Sequence, residues 1–278
     1  MFVKIPHIFK QIDSHKSMLY AWFSGMHTRL DIVLCNQPEK ELLDVISLIH
    51  AEIVRLERMG SFFDPEAELF NLNRSAVGNR IKISRELFEI IACCIEYNQK
   101  TKGYFDVTIH SENFNKDTIA SVDLFPDESA VVFRKKGVKI NLSGYLKGYA
   151  LDKISRLLIE NEISDALINL GNSSVMGLGN HPSGEGWKVG IDFPVVEKNK
   201  MITLHNECLT ISGNNKPERK HIMDPFTGKH IEGIKGQMVV TTGGAEGEVL
   251  STALVAAPEQ YREEISKQFK INYREELK

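Results

Sequence analysis

The 278-residue sequence lacks any run of about 18 apolar residues, so no membrane-spanning helix is expected. Its first residues hold only a short apolar segment and no small-residue cleavage site, so they do not resemble a signal peptide. Internal repeats, low-complexity tracts and linkers are also absent from the sequence. Length alone allows one large domain or two.

Cysteine is scarce, and the four that occur have no CxxC or other metal-type spacing: Cys35, Cys93, Cys94 and Cys208. This usage favours a reducing compartment. The formal net charge of -3 provides no excess of positive charge for nucleic acid. With 42% hydrophobic and 26% charged residues, the composition is that of an ordinary globular protein.

The most informative stretch is VKINLSGYLKGYALD, at residues 138–152. Its first residues alternate and predict a strand, which breaks at Ser143 and Gly144. A helical pattern follows to about Asn161, with Lys147 at its start. Free N–H groups and partial positive charge at a helix start suit phosphate, and a lysine adds a full charge. The alternative is an ordinary strand–loop–helix joint with a surface lysine.

Periodicity predicts further helices and strands along the chain. Helices are expected from Glu39 to Met59 and from Ser84, and a short apolar helix is expected from Glu248 to Ala257. Strands are expected over 19–35 as a pair, over 166–176 (broken at Gly171 and Asn172), over 187–191, over 201–211 as two short strands around His205 and Asn206, and over 237–242. Residues 111–129 are expected to form an irregular surface excursion.

Two segments contain polar residues that are candidates for the site. Asp106 lies between aromatic and β-branched residues in the strand-like run TKGYFDVTI, and if buried it needs partners. The alternative is a helix-to-strand turn in which Asp106 caps local N–H groups. His221 and Asp224 are three residues apart, a spacing more typical of a hydrogen-bonded turn than of a catalytic pair.

Glu248 and Thr252 are four residues apart, which puts a carboxylate and a hydroxyl on one helix face. Oxygen ligands of this kind suit magnesium. The alternative is a carboxylate at the helix N-terminus that interacts with the helix dipole, and a threonine that forms a hydrogen bond within its own helix. Phe63, beside the Asp64–Pro65 turn, is by itself more typical of core than of a ligand contact.

Six segments taken together resemble the FAD:protein FMN transferases, the ApbE family. They occur in family order and span most of the chain. The segments are SGMHT (24–28), FFDPEAELFNLN (62–73), TKGYFDVT (101–108), NLSGYLKGYALD (141–152), ISGNN (211–215) with HIMDPFTG (221–228), and EVLSTAL (248–254).

The resemblance implies an α+β fold with mixed or antiparallel sheets and surrounding helices, as a single domain over residues 1–278. It implies magnesium-dependent transfer of FMN from FAD, through a phosphoester bond, to a serine or threonine of a target protein, with release of AMP. Two alternatives stay open. One is a magnesium-dependent FAD pyrophosphatase that yields FMN and AMP, and the other is a non-catalytic flavin-binding relative with an altered metal site.

The resemblance also implies roles for individual residues. FAD would be contacted by Met26, Phe63, Tyr104, Phe105, Asp106, Asn141, Lys147 and Ile222. Magnesium would be held by Gly144 (through its carbonyl), Glu248 and Thr252. The catalytic residues would be His221, as the base for the target hydroxyl, and Asp106.

The sequence departs from the family pattern at several positions. Asn141 and Glu248 stand where the family usually has aspartate, and His27 stands in place of a glycine. Leu146, Asn172 and Ile211 also replace usual family residues. The lipoprotein signal common in the family is missing, so we expect a cytoplasmic protein, with a periplasmic or membrane-associated one as the alternative.

Overall fold

The computed structural model describes residues 4–14, 16–218 and 222–278, and its largest feature is an antiparallel sheet. In spatial order the eight strands of this sheet are β1 (His7–Gln11), β2 (Ser17–Gly25), β3 (Thr28–Cys35), β7 (Ala166–Leu170), β8 (Ser174–Leu178), β11 (Glu207–Asn214), β12 (Lys235–Thr241) and β13 (Ile271–Leu277). A three-stranded sheet contains β4 (Ile81–Lys82), β6 (Ala130–Phe133) and β5 (Val122–Phe125), and a two-stranded ribbon contains β9 (Trp187–Gly190) and β10 (Met201–Leu204).

Helices cover one face of the large sheet. Their bounds are α1 (Glu39–Gly60), α2 (Glu68–Ser75), α3 (Arg85–Lys100), α4 (Leu146–Glu160), α5 (Gly244–Ala256) and α6 (Glu259–Ser266). Within the described ranges, none of these helices has the length and apolar character needed to cross a membrane. The combination is an α+β fold, as the family resemblance implied.

The side-chain alternation of the strands builds two cores, one on each face of the sheet. In β12, Val239 points into the main core beneath the helices, whereas Met238 and Val240 belong to a smaller cluster on the opposite face. The smaller cluster also contains Leu204, from the ribbon that covers that face. Helix α5 is buried on nearly all sides between β11, β12 and α4, which explains why its sequence is apolar all round.

Several predicted elements are confirmed. The strand pair over 19–35 is the hairpin of β2 and β3, which turns at Met26 and His27. Helix α1 ends one residue beyond the predicted Met59, and Ser84 caps α3 by accepting a hydrogen bond from the backbone N–H of Leu87. The break at residues 171–172 separates β7 from β8.

The predicted strand at residues 138–141 is wrong, and the strand-like run at residues 101–109 follows its turn alternative instead. Residues 138–141 pair with no strand, because their backbone groups bind elsewhere: the Asn73 side chain bonds both the N–H and the C=O of Ile140. Residues 101–109 form a series of turns. The side chain of Thr101 accepts a hydrogen bond from the backbone N–H of Phe105, which closes the first turns and prevents extension.

Other boundaries also need correction. Residues 111–129 contain β5 as well as turns, so this segment is not wholly irregular. Helix α5 begins at Gly244, four residues before the predicted start, because Gly244 and Ala245 bind the carboxylate of Asp152. Several elements of at most eight residues each were not predicted from the sequence: β1, α2, β4, β6, α6 and β13.

Candidate active site

The candidate residues gather at one end of the large sheet. The β2–β3 turn at Met26 and His27 lies at this end, and so does the β7–β8 turn, since β3 pairs with β7. The backbone N–H of Ile211 in β11 donates to the C=O of Ser173, at 2.8 Å. His27 has a φ of 58°, the left-handed conformation that the family glycine would adopt at lower cost.

Lys147 and Glu248 form the charged centre of this region. Lys147 lies in the first turn of α4, and its Nζ is 3.5 Å from Glu248 Oε1. The same Nζ donates to Ser173 Oγ at 2.5 Å and to Ser174 Oγ at 3.2 Å, and Ser174 Oγ in turn donates to Glu248 Oε1. Glu248 is only 5% exposed, so these partners offset the cost of burying its charge.

A second group of hydroxyls continues along α5. Thr252 Oγ1 lies 3.1 Å from Ser212 Oγ, which is also 2.8 Å from Ser251 Oγ. Gly144 is beside them, since a methyl group built at Gly144 would lie 3.9 Å from Thr252 Oγ1 and 3.6 Å from the Phe105 ring. Thr252 therefore faces the loop before α4, and the idea that it serves only its own helix is wrong.

The three predicted magnesium ligands fit a hard cation by their chemistry. A carbonyl of Gly144, a carboxylate of Glu248 and a hydroxyl of Thr252 are all oxygen donors. Across the described ranges, no cluster of three His, Cys, Asp or Glu side chains could hold a metal. A set with one carboxylate is typical of Mg²⁺ that is also bound by substrate phosphates. The idea that Glu248 serves the helix dipole is wrong, because it lies in the second turn of α5.

Asp106 is buried, with one carboxylate oxygen satisfied and the other free. Oδ1 accepts hydrogen bonds from the backbone N–H and the hydroxyl of Thr108, at 2.7 and 2.6 Å. Oδ2 has no hydrogen-bond partner among the described residues. Burial raises the pKa of Asp106 to about 6, and the bonds from Thr108 oppose that rise. The predicted capping alternative accounts for Oδ1 and leaves Oδ2 available for a ligand.

Asn141 holds the loop that leads to Gly144. The side-chain Oδ1 of Asn141 accepts a hydrogen bond from the backbone N–H of Ser143 at 2.9 Å. The backbone N–H of Asn141 donates to the C=O of Val107 at 2.7 Å. The second bond ties this loop to the Asp106 loop. An aspartate could accept the same bond from Ser143, so the change to asparagine preserves the turn.

The predicted aromatic contacts divide into exposed and buried positions. Phe63 is 67% exposed, and its ring centroid lies 6.1 Å from that of His27, so the core alternative for Phe63 is wrong. Tyr104 is 6% exposed and packs 4.7 Å from the Phe226 ring. Phe105 is buried against Gly144.

Two predicted residues come from the segment between β11 and β12. Ile222 is buried, and its C=O accepts a hydrogen bond from the N–H of Ile231 at 2.8 Å. His221 lies outside the described residues. Asp224 accepts hydrogen bonds from the N–H of Phe226 and the hydroxyl of Thr227, as expected for a turn.

Four serine hydroxyls were not predicted from the sequence: Ser173 and Ser174 at the charged centre, and Ser212 and Ser251 in the group that includes Thr252. Two signals were available for them. Ser173 and Ser174 follow the predicted strand break, and Ser212 belongs to the ISGNN segment. Asp152 was also missed, although it ends the segment that contains Lys147.

Comparisons with known proteins find relatives of one family. The model of the ApbE family matches residues 26–273. A FAD:protein FMN transferase of Klebsiella pneumoniae is 23% identical over 73% of this chain and 72% of its own length. Another, from Rhodobacter capsulatus, is 26% identical over 84% of this chain and 50% of its own length. The solved structure of flavin transferase ApbE from Vibrio cholerae superposes with a TM-score of 0.76 at 18% identity, covering 88% of this chain and 89% of that chain.

Proposed function

Because the chain belongs to the ApbE family, we propose that it transfers FMN from FAD to a serine or threonine hydroxyl of a target protein, with Mg²⁺ bound. One observation carries this proposal. Helices α4 and α5 bring Lys147, Glu248 and Thr252 together at one end of the sheet, beside Gly144. This set can bind a pyrophosphate and a hard cation at the same place.

Pyrophosphate cleavage depends mainly on positioning and charge neutralisation. In the proposed reaction the target hydroxyl oxygen attacks the phosphorus of the FMN half, and the bond from that phosphorus to the oxygen of the AMP half breaks. AMP leaves with the bridging oxygen, and the hydroxyl proton passes to a base. Lys147, in the first turn of α4, would bind phosphate oxygens through its ammonium group, near the partial positive charge of the helix start.

The cation would be held by the Gly144 carbonyl, the Glu248 carboxylate and the Thr252 hydroxyl. Mg²⁺ bound there would neutralise pyrophosphate oxygens and stabilise the departing AMP. Ser174 and Lys147 already hold the Glu248 carboxylate in one orientation, so its second oxygen need not reorganise to bind. Glu248, which stands where the family usually has aspartate, keeps the negative charge on a longer side chain.

Proton transfer and flavin binding would involve the loops. His221 is the proposed base for the target hydroxyl, since an imidazole titrates near neutral pH. Asp106, with its pKa raised by burial to about 6 and one oxygen free, would bind a donor group of FAD or take part in proton transfer. Met26, Phe63 and Phe105 are proposed to contact the ring systems of FAD.

The remaining proposed FAD contacts have more indirect support. Asn141 would act through the loop that it ties to Val107, rather than through a free side chain. Tyr104 and Ile222 are both buried, on segments of the chain that approach each other through the ring contact of Tyr104 with Phe226.

The test is AMP release from FAD by the purified protein, with Mg²⁺ and with EDTA. Magnesium-dependent release is expected, and it should increase when an acceptor protein is present and becomes covalently flavinylated. In-gel flavin fluorescence after denaturation detects that product. AMP release that no acceptor changes would favour the FAD pyrophosphatase, and FAD binding without AMP release would favour the non-catalytic relative. Release that persists in EDTA would contradict the magnesium site.

A further inference from the structure

Asp152 connects helix α4 to the start of helix α5. Its Oδ1 accepts a hydrogen bond from the N–H of Gly244 at 2.6 Å, and its Oδ2 accepts one from the N–H of Ala245 at 3.0 Å. N–H groups in the first turn of a helix have no partner within that helix. Gly243, at the N-cap position of α5, has no side chain to supply one. A carboxylate from a different helix therefore caps α5.

The two helices touch backbone to backbone one turn before Asp152. A methyl group at Gly148 would lie 2.1 Å from the C=O oxygen of Gly244, and one at Gly244 would lie 2.6 Å from the C=O oxygen of Gly148. Gly148 and Asp152 are four residues apart, so they share one face of α4. At this crossing the Leu151 side chain of α4 also lies beside Gly244, and the hydrogen bonds of Asp152 add a polar link between the same two helices.

This crossing sets the relative position of the candidate ligands. Lys147 is adjacent to Gly148 on α4, and Glu248 lies one turn after Gly244 on α5. Thr252 lies one further turn along the same helix. Any rotation or sliding of α5 against α4 would change the distances from Glu248 and Thr252 to Lys147 and the Gly144 loop.

We propose that Asp152 is a positioning residue for the cation site: by capping α5 from α4, it fixes Glu248 and Thr252 relative to Gly144 and Lys147. This proposal rests on the proposed function, because it presupposes that these residues bind a divalent cation. Outer partners that orient metal ligands typically change metal affinity by about 10- to 100-fold when they are removed.

The test measures Mn²⁺ binding to the purified protein by the EPR signal of free Mn²⁺, for the wild type, Asp152→Ala and Asp152→Asn. Asp152→Ala is expected to weaken binding by about 10- to 100-fold. The Mn²⁺ affinity of Asp152→Asn should lie between those of the wild type and Asp152→Ala. The amide oxygen of the asparagine can accept a hydrogen bond from one of the two N–H groups, but its NH₂ group faces the other and cannot accept from it. In AMP-release assays, the Mg²⁺ concentration that gives the half-maximal rate should rise from the wild type to Asp152→Asn to Asp152→Ala. The rate of both variants should recover at high Mg²⁺.

Ser84→Ala is the matched control. It removes a side-chain cap from α3, where Ser84 Oγ accepts a hydrogen bond from the backbone N–H of Leu87 at 3.3 Å and donates one to Glu68, and neither partner is a candidate ligand. We expect it to lower the unfolding temperature while Mn²⁺ affinity stays at the wild-type value. A Ser84→Ala loss of affinity equal to that of Asp152→Ala would overturn the positioning role.

Wild-type affinity in Asp152→Ala would overturn the inference and leave the proposed function standing. If Asp152→Ala does not fold, wild-type Mn²⁺ affinity in Asp152→Asn would overturn the inference in the same way. A wild-type protein that binds no Mn²⁺, with or without FAD, would instead contradict the cation site of the proposed function, and the inference would fall with it.

Discussion

The two sides of the candidate site differ in how completely their polar groups are satisfied. On the helix side, Lys147 and Glu248 are held by each other and by two serines from the end of the sheet. On the loop side, Phe63 is largely exposed and Asp106 Oδ2 has no partner in the described ranges. The helix side is thus preorganised for charge, whereas the loop side carries the groups that are free to contact a ligand.

The largest loss of activity is expected when the Glu248 carboxylate is removed from the helix side. Glu248→Ala is expected to lower magnesium-dependent AMP release by at least about 100-fold, the usual cost of losing one preorganised charge-stabilising group. Glu246→Ala, on the same helix and without contact to Lys147, should keep most of the activity. Equal loss in both variants would show that helix damage, rather than ligand loss, explains the result.

Stability of the helix side can be tested at the crossing of α4 and α5. Gly148→Ala should destabilise the protein by about 3 kcal/mol or more, because its methyl group would meet the rigid backbone oxygen of Gly244 at 2.1 Å. Gly184→Ala has no atom within 4 Å of the new methyl group and should be neutral. Urea denaturation measures both. Similar midpoints for the two variants would contradict the close crossing.

On the loop side, the carboxyl group of Asp106 should make the free energy of unfolding depend on pH. The pKa of Asp106 is raised to about 6 from 3.8, so the native state binds more protons than the unfolded state between those values. Its contribution therefore makes stability fall as pH rises from about 4 to about 6, by up to about 3 kcal/mol. Asp106→Asn should remove that slope, raise stability at pH 7 and lower AMP release.

Urea denaturation at pH 4, 5, 6 and 7 would measure this slope in the wild type and in Asp106→Asn. Asp31→Asn is a useful control, because Asp31 is a partly exposed carboxylate in β3, outside the candidate site. A slope that persists unchanged in Asp106→Asn would mean that another group causes it.

The same contrast explains which features could be predicted from the sequence. The hairpin of β2 and β3 and helix α1 follow from apolar periodicity, and that periodicity reflects burial directly. The spacing of Glu248 and Thr252 placed both on one helix face, and the structure brings Lys147 to Glu248 across a separation of about 100 residues. Spacing indicated which side chains share a face, but not which distant element meets them.

Features that depend on side-chain-to-backbone bonds could not be read from periodicity. Residues 138–141 alternate like a strand, yet the Asn73 side chain takes the hydrogen bonds that a neighbouring strand would make. Helix α5 starts early because Asp152, on another helix, caps it. Both are tertiary contacts between distant positions, and the local sequence contains no signal for them.

The smallest effect on stability is expected at the exposed edge of the loop side. Phe63→Ala should change the free energy of unfolding by less than about 0.5 kcal/mol, because the side chain is 67% exposed. If its ring contacts flavin or adenine, the KM for FAD should rise by about 2- to 10-fold, the usual value of one aromatic contact. Ile159→Ala, a similarly exposed apolar residue near the end of α4, should change neither quantity. An unchanged KM in Phe63→Ala would remove Phe63 from the proposed FAD contacts and leave Met26 and the buried Phe105 as the proposed contacts of the ring systems.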